Sequence, residues 1–188
     1  MEASKTLLIY YSRADYNYGI SERQTIGNTK IVAQILKDLI HCDEFELLAK
    51  KPYPVEYEPC TVVAKEELHK NARPEIQNET LPDLTKYDTI IFGFPIWWGT
   101  FPMLFHTFFE KLPADSFKGK HIASFCTQEG SRLGQSVEDL KKEFGKEIIY
   151  VKHLPKAFAA AMGDVLVVAR WKTKERREEF YQKALMTI

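Results

Sequence analysis

Three short stretches of the chain are apolar at consecutive positions: Thr6–Tyr11, Thr89–Phe94 and Lys120–Phe125. Each is rich in Ile, Leu or aromatic residues and is closed by Gly, Pro, Ser or Thr, which predicts a strand. Apolar residues on both faces belong to strands covered on both sides, the habit of parallel sheets. Weaker runs at Glu44–Leu48 and Glu147–Lys152 predict two more strands. Helical periods lie between them. Thr29–Leu39 carries Ile31, Ile35, Leu36 and Leu39 on one stripe. Pro59–Asn71 predicts a helix with Pro in its first turn, and Met103–Leu112 predicts one that is apolar all round. Val137–Phe144 predicts another with Ser136 as its N-cap, and Thr173–Leu185 predicts a charged closing helix.

Strands alternating with helices imply a parallel sheet with right-handed crossovers. Two stretches show no single period. Ala14–Ile26 is polar and aperiodic, and Pro155–Arg170 reads as a helix at Ala157–Met162 followed by a strand at Val165–Ala169. The last strand of the sheet is therefore Glu147–Lys152, Val165–Ala169 or both.

The 188 residues suit one domain, residues 1–188, large enough for a core without cross-links. Lys plus Arg and Asp plus Glu number 26 each, so the net charge is zero. Without a basic run interleaved with aromatics, nothing points to nucleic acid. No apolar run approaches the ~20 residues of a membrane span. The short run after Lys5 has no signal-peptide core, so the expected location is the cytoplasm. Cys42, Cys60 and Cys126 are odd in number and far apart, which predicts buried free thiols. The five histidines are isolated and give no metal-ligand spacing. G-x-S-x-G is absent, and with it that route to a catalytic triad.

In open α/β sheets, ligands bind beyond the C-terminal ends of the strands. Three segments follow strands here, and all carry unusual chemistry. The first runs from Ser12 to Gly27-Asn28-Thr29-Lys30. Gly27 permits a tight turn with no Cβ against a ligand. Asn28 or Thr29 can cap the helix that starts there, and a helix N-terminus attracts phosphate. The spacing is neither a Walker loop nor G-x-G-x-x-G. In the second segment, Trp97 and Trp98 stand between Pro95-Ile96 and Gly99. Adjacent aromatics after a strand cannot both enter one core, so at least one faces outward, where a planar ligand would cover it. The third segment is Thr127-Gln128-Glu129-Gly130-Ser131, and its glycines, Gly130 and Gly134, allow close backbone approach.

Together these loops resemble the flavodoxin family, in particular a bacterial branch with P-I-W-W-G after the third strand. The likeness also runs through Ile9–Ala14, Pro52-Tyr53-Pro54, Ala72-Arg73-Pro74, Tyr87-Asp88 and Phe117-Lys118-Gly119-Lys120. It implies a three-layer α/β/α sandwich with a five-stranded parallel sheet of order 2-1-3-4-5, and FMN as cofactor. It implies that Ser12, Gly27, Asn28 and Thr29 hold the FMN phosphate, with Lys30 pointing away. Pro95, Ile96, Trp97, Trp98 and Gly99 would wrap one side of the flavin ring, and Thr127, Glu129, Gly130 and Ser131 would flank its other edge.

Two features depart from the archetype. Residues 13–26 lengthen the first loop, from which Arg13, Tyr16 and Tyr18 could reach over the flavin. The neutral surface lacks the acidity that steers carrier flavodoxins to basic partners. The expected role is electron transfer to a redox partner protein or a small-molecule acceptor. The alternative is an FMN-dependent NAD(P)H reductase of a quinone or similar acceptor. Glu129, His106 and His153 are the acid–base candidates. Apolar exposure near Trp97 and Phe101 leaves monomer and homodimer both open.

Overall fold

The computed structural model describes residues 5–144. Its strands are β1 (Thr6–Tyr10), β2 (Asp43–Glu46), β3 (Thr89–Pro95) and β4 (His121–Thr127). Its helices are α1 (Asn28–Ile40), α2 (Tyr57–His69), α3 (Leu104–Glu110) and α4 (Ser136–Phe144). The four strands form one sheet in the order β2-β1-β3-β4, and all neighbours are parallel. The fifth strand and the closing helix expected from the sequence lie outside the described residues.

The consecutive apolar residues of each strand divide between two layers, because side chains alternate across a sheet. Leu7, Ile9, Ile90, Phe92 and Phe94 face one side, where they meet Leu104, Phe105 and Phe108 of α3 and Leu140 of α4. Leu8, Tyr10, Ile91 and Phe125 face the other, against Ile31, Val32, Ile35 and Leu36 of α1. Phe92 sits at the centre of the first layer. Its ring stacks on Phe144 at 5.2 Å and meets Phe105, Phe109 and Phe117 edge-on.

The elements differ from their sequence-based bounds mainly at charged ends. β2 is Asp43–Glu46 rather than Glu44–Leu48, because it is an edge strand whose acids have partners. Glu44 and Glu46 pair with Lys37 and Lys30, and the Tyr10 hydroxyl donates to Glu46. Lys30 therefore leans to the sheet edge, as the resemblance implied. Helix α2 starts two residues earlier than Pro59. Ser136 is the first residue of α4 rather than its cap, and its hydroxyl donates to Leu133 O at 2.7 Å.

All three cysteines are free and buried. Burial pushes the thiols of Cys42 and Cys126 up to about 11, and that of Cys60 up as well. Since the thiolate is the reactive species, the native protein is expected to resist a thiol reagent at pH 8. The unfolded chain should react fully, and an Ellman titration with and without urea measures both.

Candidate functional site

A cleft of about 350 Å³ opens at the C-terminal ends of β1, β3 and β4. That size falls within the ~300–1,000 Å³ of small-molecule sites. Asn28, Thr29, Pro95, Ile96, Trp97, Trp98, Gly99, Thr127, Glu129 and Ser131 line it, so all three loops singled out in the sequence converge. Ser12, Gly27 and Gly130 do not line it.

Ser12 and Gly27 instead build the support beneath one end. Gly27 is the N-cap position of α1, so neither Asn28 nor Thr29 caps the helix. The cap hydrogen bond comes from across the loop: Ser12 Oγ accepts from Lys30 N–H at 2.9 Å. A Cβ on Gly27 would fall on Arg13 O and Ser12 Oγ. The protein's own backbone at Arg13 and Ser12 therefore requires a glycine at this position.

The first N–H groups of a helix have no partner within it. Those of Asn28 and Thr29 make no backbone bond among the described residues, whereas Ile31 N–H reaches Gly27 O. The Asn28 side chain adds a buried Oδ1 without a partner among the described residues. A carboxamide carries both a donor and an acceptor and can turn to offer either. Thr29 Oγ1 shares a 2.8 Å hydrogen bond with Thr127 Oγ1, which fastens the first turn of α1 to the end of β4. Free amides, a carboxamide and hydroxyls at a helix N-terminus are the donor set that a phosphate group takes.

The aromatic loop forms the opposite wall. Trp97 and Thr100 exchange backbone hydrogen bonds of 2.8 and 3.2 Å, closing a two-residue turn on Trp98 and Gly99. Both turn residues have positive φ, 51° and 86°, the pattern of a type I′ turn. For a bulky residue such as Trp98 this backbone is strained. Trp97 is partly buried, edge-on to Tyr53 at 4.8 Å and to Tyr11 at 5.6 Å. Trp98 is the outward one, 51% exposed. Its Nε1–H donates to Thr61 O at 2.9 Å, and Lys65 Nζ lies 4.7 Å from its ring centre. The third loop locks onto this turn. Gln135 N–H donates to Gly99 O at 2.6 Å, and a Cβ on Gly134 would collide with Gly99.

The structure adds a wall from α2 that the sequence reading did not include, and brings Arg13 and Tyr18 of the long first loop to the cleft as that reading expected. Tyr57, Cys60, Thr61 and Ala64 of α2 face the cleft, as do Arg13, Asn17, Tyr18 and Ile20 from the long first loop, and Gln128. The α2 residues recur at i, i+3, i+4 and i+7, a helical stripe that was legible but is too polar and small to stand out. Arg13 ties the two parts together: its guanidinium donates to Tyr16 O, Pro54 O and Val55 O, each at 2.7 Å. The Tyr18 and Tyr57 rings meet at 5.7 Å. Burial holds the Cys60 thiol and the Tyr57 phenol in their neutral forms, so the α2 part of this wall is uncharged. Tyr16 does not line the cleft; its carbonyl serves the Arg13 clamp. His106 pairs with Glu143 at 2.7 Å and lies outside the cleft lining. His153 lies outside the described residues.

No group of His, Cys, Asp and Glu suited to a metal occurs among the described residues. No described helix is long and apolar enough to cross a membrane.

This parallel sheet, with its ligand-sized cleft at the strand ends, defines a flavodoxin-like α/β protein. The family model for flavodoxin matches residues 20–157, and the chain belongs to that family. Among solved structures, a candidate flavoprotein from Bacteroides eggerthii is 26% identical with a TM-score of 0.62, covering 88% of this chain and 99% of its own. A flavoprotein from Lactobacillus acidophilus, solved in complex with FMN, is 22% identical with a TM-score of 0.56, covering 79% and 91%. A flavodoxin-like, WrbA-like protein from Agrobacterium tumefaciens is 14% identical with a TM-score of 0.53, covering 98% of both chains. A search of curated proteins returned no significant match.

Proposed function

We propose that the cleft binds FMN and that the chain passes electrons through it. The carrying observation is that a phosphate-type donor set and an aromatic ring wall share one cleft of about 350 Å³. The N–H groups of Asn28 and Thr29, with the Asn28 carboxamide and the Thr29 and Thr127 hydroxyls, would hold the phosphate. Pro95–Gly99 would border the flavin ring on one side, and Thr127, Glu129 and Ser131 on the other. The donor set fits the group, and the FMN-bound Lactobacillus relative supports the same choice. FMN supplies one- and two-electron chemistry when bound. The residues of this chain bind it, exclude water and set the polarity at its edge. Apolar aromatic walls disfavour added negative charge on the ring.

A second reading, an NAD(P)H-dependent reductase of a small acceptor, is favoured by one observation. The first loop and α2 line the cleft with Tyr18, Tyr57 and Thr61, polar groups that a small acceptor beside the flavin could contact. Anaerobic photoreduction of the FMN-loaded protein, then addition of NADPH or NADH, separates the two. A one-electron state that accumulates, with no reduction by nicotinamide, supports the carrier. Direct two-electron reduction with fast bleaching by a nicotinamide supports the reductase.

Trp98 has a specific expected role as a latch across the mouth. Because it is half-exposed and sits in a strained turn, Trp98→Ala should change stability by no more than about 1 kcal/mol. Losing its hydrogen bond to Thr61 and its cover should speed FMN release. Denaturant unfolding and stopped-flow displacement of FMN check the two parts.

A further inference from the structure

We propose that Trp97, Tyr53 and Glu67 form a one-electron relay leading away from the cofactor cleft. The proposal rests on the FMN reading above. Trp97 lines the cleft. Behind it stands Tyr53, edge-on with ring centres 4.8 Å apart. The Tyr53 hydroxyl points onward and donates to Glu67 Oε2 at 2.8 Å. Three side chains from separate segments, the β3 loop, the loop before α2 and α2 itself, thus make one continuous chain of contacts.

Packing alone does not call for this arrangement. A Phe at position 53 would fill the same space against Trp97 and Tyr11. The hydroxyl instead meets a carboxylate, and a partly buried carboxylate is an expensive partner for a phenol. Burial raises the proton affinity of Glu67, and the Tyr53 hydrogen bond offsets only part of that. Glu67 is therefore a stronger proton acceptor than a carboxylate in water. Burial and the Glu67 charge likewise keep Tyr53 protonated.

An oxidised phenol is a very strong acid. A tyrosine therefore gives up an electron readily only if its proton leaves with the electron, and the proton needs a base already in hydrogen-bond contact. Glu67 is that base. The sequence starts when light excites the oxidised ring of bound FMN. One electron leaves the Trp97 indole for that ring. One electron then passes from Tyr53 to Trp97, and the phenolic proton moves along the hydrogen bond to Glu67. Trp97 is restored, Tyr53 is left as a neutral radical and Glu67 as a carboxylic acid. Return of the electron from the ring, with return of the proton from Glu67, closes the cycle. The relay draws a hole from the cleft into a side chain that can hold it without damage to the cofactor site.

Transient absorption after a laser flash on the FMN-loaded protein tests this, with Trp97→Phe, Tyr53→Phe and Glu67→Gln. The wild type should form a tryptophan radical that gives way to a tyrosyl radical, more slowly in D2O than in H2O. Tyr53→Phe should leave the tryptophan radical to persist several-fold longer. Glu67→Gln keeps an acceptor oxygen but not a base, so tyrosyl formation should slow several-fold. Trp97→Phe should remove the tyrosyl signal, because Trp98, the other tryptophan lining the cleft, has no ring contact with Tyr53 among the described residues. An unchanged tryptophan-radical decay in Tyr53→Phe, or unchanged tyrosyl formation in Glu67→Gln, would show that the trio is only a packing contact. Retained flavin, seen by absorbance before the flash, separates that failure from failure of the FMN reading. A wild type that holds no flavin sinks both.

Discussion

Gly27→Ala is expected to abolish FMN retention while the sheet still forms. The new methyl group would land on the Arg13 carbonyl and Ser12 Oγ. Both are pinned. The Arg13 guanidinium at the far end of that side chain is held by three carbonyls, which anchors the residue, and Ser12 Oγ accepts from the amide of Lys30. The chain must therefore move the first loop away from the start of α1. That shift breaks the Ser12 cap, which is worth about 1 kcal/mol, and overpacking adds about 1–3 kcal/mol. More important, it displaces the amides of Asn28 and Thr29 from the arrangement a phosphate needs. Affinity should fall at least about 100-fold, the cost of losing roughly 2.7 kcal/mol of directed hydrogen bonds. Equilibrium dialysis against FMN reads the affinity, and far-ultraviolet circular dichroism checks that the fold persists.

Phe92→Ala should produce one of the large losses of stability in the described core. Phe92 is 0% exposed, and four aromatic rings lie within 6.3 Å of its ring centre. Such a crowd of rings, held from α3, from the segment before β4 and from α4, cannot collapse into the space left behind. The expected cost is about 3–5 kcal/mol. Urea unfolding should show a lowered midpoint with an unchanged slope. A cost below about 1.5 kcal/mol would mean that the layer between the sheet and α3 is looser than its ring geometry implies.

The sheet was legible in the sequence wherever strands are buried on both faces. Thr6–Tyr11 and Thr89–Phe94 match β1 and β3 to within one residue, since continuous apolar runs have no other use at that length. β2 was displaced because an edge strand of Asp, Glu, Phe and Glu shows no apolar run; its carboxylates are satisfied by lysines of α1, which only the fold brings near. The helix near Thr29 was found by its stripe, but its cap was not. Ser12 lies 18 positions from the amide it caps, and no local pattern carries that pairing.

The candidate site was legible where it follows strands and hidden where it does not. Trp98 proved to be the exposed member of its pair because the turn forces it outward, while Trp97 found cover beside Tyr11 and Tyr53. The α2 wall escaped notice because its inward residues, Tyr57, Cys60, Thr61 and Ala64, include no charged or strongly apolar group. The long first loop has no period because it is held by Arg13 and by backbone pairing of Asp15 with Gln24, rather than by a buried face.

The most direct measurement is a titration of the flavin-free protein with FMN, followed by flavin and tryptophan fluorescence, with Gly27→Ala in parallel. The wild type should saturate at one FMN per chain, with quenching of both signals and much weaker binding in the variant. No saturable quenching, or equal binding by wild type and Gly27→Ala, would contradict FMN binding in this cleft.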